Sequence, residues 1–180
     1  MNRHDGRIVD AASLRRAFDR SFAKALPAHR APNDALLAVR VAGEAYAIPA
    51  AGISGLYVDR RIVRLPDSVP GLLGIAGFRG RIAPVYDLAS LLGRSTGLEP
   101  RWLLLVSGPD PVALAFESFD GQINTTPDQM APDTGESAHV MLAGVVRRGE
   151  LTRPIVRLEA VLNEVRRRAG TRVSPGSADT

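Results

Sequence analysis

Apolar residues recur along this chain with two different periods. Between residues 10 and 26, Leu14, Phe18 and Phe22 return every fourth position, and Ala11 and Leu26 extend the stripe. Arg15, Arg16, Arg20 and Lys24 fall mostly off it. That spacing predicts an amphipathic helix. Pro27 and the polar stretch through Asp34 end it and form a linker. Beyond Asp34 the period shortens to that of strands. Residues 36–41 and 45–48 read as a hairpin around Gly43-Glu44, and Pro49 marks an edge or a bend. Residues 53–58 and 62–65 read as extended, with a charged turn between them. A loop follows through residue 73, then residues 74–78 and 81–85 flank a turn at Arg79-Gly80. A short helix over 88–92 stops at Gly93.

The second half repeats this style. Residues 102–106 and 112–116 form a hairpin around Gly108-Pro109-Asp110, and 122–125 is a weaker strand. The segment 127–137 reads as a long loop. Residues 140–146 and 151–158 make a last hairpin, and 159–168 a helix with Val161, Leu162 and Val165 on one face. The expected division is a helix and linker over 1–33, a β domain over 34–168 and a disordered tail over 169–180. About ten short strands, in two groups split near residue 95, predict a mostly β chain. Each group alone buries little surface, and two small barrels packed together would solve that problem.

Composition narrows the chemistry. Hydrophobic residues make up 45% of the 180 positions but aromatics only 5%, so aliphatic side chains must fill the core. Seventeen Gly and thirteen Pro favour many short elements over a helical bundle. The absence of Cys removes disulfides and thiolate chemistry. No stretch approaches the roughly 20 apolar residues of a membrane helix, and the polar N-terminus carries no signal-peptide core. The expected location is the cytoplasm, without membrane insertion. Net charge is +4, with arginines spread in short clusters that read first as solvated positions. His4, His29 and His139 lack partners at metal-ligand spacing. No phosphate-binding glycine loop or nucleophile elbow appears. The paired carboxylates Glu117 and Asp120 read as a strand-end turn. The expectation is therefore a non-enzymatic chain with no cofactor and no metal.

The run Gly74-Ile75-Ala76-Gly77-Phe78-Arg79-Gly80-Arg81-Ile82-Ala83-Pro84-Val85-Tyr86-Asp87-Leu88 resembles the hallmark of the CheW-like domain family, with one extra residue after Gly80. Upstream, Gly43 to Pro49 and Pro70 to Gly74 are similar to the family's opening hairpin and its approach to the hallmark. Downstream, Ala143 to Val146 and Pro154 to Leu158 resemble its closing hairpin. The likeness covers about residues 35–166. It implies two five-stranded SH3-like β-barrels, with a short C-terminal helix, and an adaptor that does no chemistry. The implied partners are the regulatory domain of a CheA-type histidine kinase and the cytoplasmic tip of a chemoreceptor. Arg79 matches an arginine tied to receptor coupling, and Ile53 an apolar position beside the receptor groove; Phe78, Gly80 and Leu56 accompany them as partner-binding candidates. A guanidinium on a Gly-flanked turn suits a carboxylate or backbone carbonyls, in a partner or in the chain's own loops.

Three departures mark the chain: Gly77 where the family prefers Asn, Gly55 where an acidic residue is common, and Glu117 in place of Asp. They fit a divergent paralogue that binds other signalling partners without receptor coupling. A basic nucleic-acid-binding barrel is the alternative from another class, prompted by the basic isoelectric point, though Trp102, Tyr46 and Tyr57 stand isolated rather than interleaved with basic residues. The N-terminal stripe of Leu14, Phe18 and Phe22 would dock on the chain's own barrels or on a partner.

Overall fold

The computed structural model describes residues 34–66, 69–95, 99–132 and 140–170. The expected helix over 10–26, with Leu14, Phe18 and Phe22, lies outside the described residues, as does the tail beyond 170. Described in chain order are β1 (Asp34–Val41), β2 (Glu44–Pro49), β3 (Ile53–Val58), β4 (Leu72–Phe78), β5 (Arg81–Asp87) and the one-turn helix α1 (Leu88–Leu91). Then come β6 (Trp102–Val106), β7 (Val112–Phe116), β8 (Ser118–Thr125), a 3-10 turn (Pro127–Gln129), β9 (Met130–Pro132), β10 (Leu142–Arg148), β11 (Leu151–Val156) and α2 (Leu158–Gly170). The 3-10 turn and β9 fall where a long loop was expected, and α2 includes two residues assigned to the tail.

The strands form two sheets, ordered β8-β1-β2-β11-β10-β9 and β3-β6-β7-β5-β4. The expected split near residue 95 is not the boundary between them. Each sheet mixes strands from both halves of the chain, because β3 pairs with β6 and β8 pairs with β1. Exchanging β1 with β6, β2 with β7, β3 with β8, β4 with β10 and β5 with β11 converts one order into the other. Even the parallel contacts correspond: β2 with β11, and β7 with β5. The two halves are therefore structural repeats, and the sequence carries the trace. At one constant offset, Leu72 answers to Leu142, Gly74 to Gly144, Pro84 to Pro154 and Leu88 to Leu158.

Neither sheet closes into the five-stranded barrel that was expected. The first has six strands, and among the described residues no ladder joins β8 to β9 or β3 to β4. Those end strands are instead consecutive in the chain. The expected strand at 62–65 is reduced to one bridge, in which Val63 exchanges hydrogen bonds of 2.8 and 2.9 Å with Ile75. The reason lies in β4, whose register shifts at Gly74 (φ 142°). That bulge bends the edge beneath the Val63 carbonyl and stops the ladder there. Gly144, with φ 152°, makes the same bulge in β10 beneath the Ala131 carbonyl.

The central strands β6 and β7 are covered on both faces, which is why they read as unbroken apolar runs. Alternate residues supply different cores. From β6, Leu104 and Val106 enter a central core between the sheets, while Leu103 enters the inner face of the second sheet. Leu114 and Phe116 of β7 point to the centre, Ala113 and Ala115 inward. The first sheet divides likewise, with Val39, Tyr46 and Ile48 central and Leu36, Ala38 and Ala47 inward. Small side chains on the inner faces let each sheet curl tightly. Both helices cap the central core, through Leu88 and Leu91 of α1 and Val161 and Val165 of α2. Asp87 caps α1 by accepting from the Ala89 N–H at 3.1 Å. Burial pushes its carboxyl up, opposed by hydrogen bonds from the backbone of Ala89 and Ser90.

The end of α2 is latched to α1. Arg168 donates Nη1 to Ser90 Oγ at 3.2 Å and to Pro70 O at 3.1 Å, and Nη2 to Ser90 O at 3.3 Å. Glu164 orients it, accepting from Arg168 Nε at 2.7 Å and from Arg167 at 2.6 and 2.7 Å. Hydrogen bonds from Arg167 and then Arg168 hold the Glu164 carboxyl at about 2, against an ordinary 4.5. A depressed carboxylate contributes stability above its unfolded value and loses it on acidification. The latch should therefore be whole above about pH 4.5 and fail as pH falls toward 2. Urea unfolding at pH 6 and pH 3 should show a loss that Glu164→Gln largely abolishes. Gly74→Ala should cost about 3 kcal/mol or more, because its Cβ would meet the Val63 carbonyl. Gly77→Ala, with nothing within 4 Å of the new carbon, should change stability by under about 0.5 kcal/mol.

Candidate partner-binding site

Arg79 and Gly80 are the two central residues of the β4–β5 turn, closed by the pair Phe78 and Arg81. Their φ values, 47° and 82°, are both positive, as a type I′ turn requires. Gly80 adopts this region freely, whereas Arg79 does so at a cost of roughly 1 kcal/mol. The strained position holds an exposed side chain that makes no hydrogen bond or ion pair with any described residue. The reading of Arg79 as a brace for the chain's own loops finds no contact here. That task falls to Arg81, whose Nη2 donates to Pro109 O at 3.3 Å and ties the tip to the β6–β7 loop.

Phe78 is not a surface residue. Its ring is 2% exposed, lies in the inner core of the second sheet and meets Tyr57 edge-on at 5.0 Å. Alternation along β4 dictates this, since Ala76 and Phe78 share the inward face. The ring supports the tip from below and meets the surface only at the floor of a cleft. Ile53 and Leu56 lie in β3, half-buried against the central core, opposite Val106 and Leu104. Phe78 and the pair Ile53 and Leu56 therefore belong to opposite faces of the sheet. Beside Phe78 lies a cleft of about 180 Å³, floored by Phe78, Ala83 and Leu105 and rimmed by Ser54, Arg81 and Ser107. Ser54 follows Ile53 and Phe78 precedes Arg79, so the cleft is adjacent in sequence to both contact candidates, although neither lines it.

Gly55 acquires a local reason. A side chain there would stand 2.7 Å from the Tyr57 ring, which is folded back over the glycine. Arg60 covers that ring at 5.2 Å from its centroid. An arginine–tyrosine–phenylalanine stack thus occupies the place where an acidic side chain would project. Sequence reading missed a second feature, the exposed aliphatics Ile82, Val63, Val58 and Leu65 around this sheet. Ile82 is 69% exposed and stands opposite the side-chain-free Gly77. Arg79, Gly77 and Ile82 together give the hairpin tip one cation and one bare apolar side chain. The signal was present in the alternation of β5, where Ala83 faces inward and Ile82 must face out.

Among the described residues, no group of His, Asp or Glu could hold a metal, and no helix is long and apolar enough to cross a membrane. The geometry is that of a two-sheet binding scaffold, with an arginine-tipped hairpin beside an apolar cleft. A family model for the CheW-like domain matches residues 35–166, and the chain belongs to that family. Among solved structures it is similar to the scaffolding protein TtCheW from Thermoanaerobacter tengcongensis. The two share 17% identity with a TM-score of 0.62, over 69% of this chain and 89% of that one. No curated protein matches the chain.

Two substitutions should separate the tip from its support. Arg79→Gly relieves the left-handed residue and should leave stability unchanged or raise it by up to about 1 kcal/mol. Phe78→Ala should cost about 3–5 kcal/mol. Thermal melts of the two variants beside the parent check both.

Proposed function

We propose that the chain is a non-enzymatic adaptor that couples a CheA-type histidine kinase to chemoreceptors in chemotaxis or motility signalling. The kinase's regulatory domain and the receptor's cytoplasmic tip are its partners. Membership of the CheW-like family supports the class of role. One observation carries the finer reading: Arg79 is held exposed on a rigid two-residue turn, strained and without a partner in the described chain. A guanidinium so placed is pre-organised for a carboxylate or for the carbonyls at a helix end. The cleft beside it, floored by Phe78, Ala83 and Leu105, has room for an aliphatic side chain. The exposed Val58, Val63, Leu65 and Ile82 supply apolar area that a kinase domain of similar build would cover.

A second reading rests on the Tyr57 stack over Gly55. With an aromatic and Arg60 where an acidic side chain would project, the chain is a paralogue whose partner differs from a standard receptor tip. Nucleic-acid binding is disfavoured, because Tyr57 packs on Phe78 and Trp102 on Phe119 at 5.5 Å, so neither ring is free to stack on a base.

Calorimetric titration of the full chain with the regulatory domain of its cognate kinase, and with receptor tips, tests the proposal. Arg79→Gly should weaken receptor-tip binding by about 1.5–3 kcal/mol, the worth of a charge-assisted contact, with the melting temperature kept. Absence of binding to either partner, together with unchanged kinase activity, would refute the adaptor reading. Kinase binding without receptor binding would select the paralogue.

A further inference from the structure

The internal repeat gives the first sheet a cleft at the position equivalent to the one beneath Arg79, and its chemistry is different. In the second sheet the cleft is lined by Phe78, Arg81 and Ala83. The residues at the same offset in the first sheet are Arg148, Leu151 and Arg153, and all three line a cleft of about 170 Å³. The second-sheet cleft thus carries one arginine, Arg81, and the first-sheet cleft two, Arg148 and Arg153, beside Asp120. Ala38, Ile123 and Val146 form an aliphatic floor in both senses of the pleat.

We infer that this first-sheet cleft is a second docking site, which takes an acidic side chain from a segment of a partner protein. Arg153 is the fixed element. Its side chain is only 12% exposed, Nη2 donates to Asp120 at 2.8 Å, and Nη1 donates to the Val39 carbonyl at 3.3 Å. Asp120 is also approached by Arg40 at 3.6 Å. The single carboxylate is thereby shared between two guanidiniums and serves to position Arg153. Arg148 is exposed and makes no hydrogen bond or ion pair with any described residue. Within the lining, two arginines against one aspartate leave an excess of positive charge at the mouth, half-enclosed by low-dielectric walls that strengthen its field. Leu151, 65% exposed at the rim, offers apolar cover for the methylenes of a glutamate. A cleft of this volume suits one side chain and excludes a folded surface. The partner must therefore present the acid on an extended or helical segment. A bare inorganic anion would use the charge but not the aliphatic floor or Leu151.

The experiment is an NMR titration of the full-length, isotope-labelled chain with acetyl-Ala-Glu-Ala-amide. The Gln peptide and inorganic phosphate serve as parallel probes. Saturable shifts confined to residues 120–123 and 146–153 are expected with the Glu peptide. Affinity should fall at least tenfold with the Gln peptide and at least tenfold in Arg148→Gln, which removes an exposed side chain and spares the Arg153–Asp120 pair. Arg79→Gly should leave the peptide's affinity unchanged, so the outcome does not depend on the kinase or receptor reading. Unsaturable shifts, equal binding of the Gln peptide, or full affinity in Arg148→Gln would overturn the inference. Phosphate binding as tightly as the Glu peptide would also overturn it, by showing an unspecific anion site.

Discussion

The β1–β2 and β6–β7 hairpins each join a sheet whose other strands come from the opposite half of the chain, and the rest of the architecture depends on that exchange. β3 lies against β6 from Ile53 opposite Val106 to Val58 opposite Trp102. β8 lies against β1 from Asp34 opposite Thr125 to Arg40 opposite Ser118. Without the borrowed hairpin, each sheet would expose an edge and lose one wall of its inner core. The halves are therefore interlocked rather than merely adjacent. Their common product is the central core, to which both sheets and both helices contribute. Because the decisive pairings are distant in sequence, loop-closure entropy must be met before they reward folding. Small inner-face residues such as Ala113, Ala115, Ala38 and Ala47 make the curl possible, and large central ones supply most of the burial.

The same duplication organises the surface. Each half ends in a hairpin with a bulged glycine, a proline in the return strand and a helix that caps the core. What differs is at the tips. One tip carries Arg79 over an apolar cleft floored by Phe78 and Ala83. The other carries Arg148 and Arg153 over an aliphatic floor. A repeated backbone thus holds two sites of unlike chemistry, and the side chains alone make the difference. Rigid turns matter here, because a residue held at the tip of a two-residue hairpin loses little conformational freedom on binding.

Local signals in the chain were sufficient for much of this. Gly43 and Gly80 announced tight hairpins, alternation placed most strands within a residue or two, and Gly93 marked the end of the short helix that begins at Leu88. The resemblance at residues 74–88 located the tip that the structure presents to solvent. Among the expectations that failed, some did so for local reasons. Residues 62–65 look like a strand because Ile62, Val63 and Leu65 are apolar, but the Gly74 bulge limits them to one bridge. Phe78 looked like a contact residue beside Arg79, but the pleat turns it into the inner core. The repeat itself was readable in the spacing of glycine, proline and leucine, and was overlooked because most positions between them differ.

The amino-acid sequence by itself determined the strand-rich class, the turn types and the membership in one family. These rest on near-neighbour physics: side-chain alternation, positive φ at glycine, capping by Asp87. Which strand pairs with which was decided only by the tertiary structure. Nothing in residues 34–49 or 102–116 marks each hairpin for the sheet whose other strands come from the opposite half. That choice follows from completing two curled sheets around one shared core, a property of the whole assembly of strands. The same holds for the clefts, since Ser54, Phe78 and Ser107, or Asp120, Arg148 and Arg153, meet only after the exchange has been made.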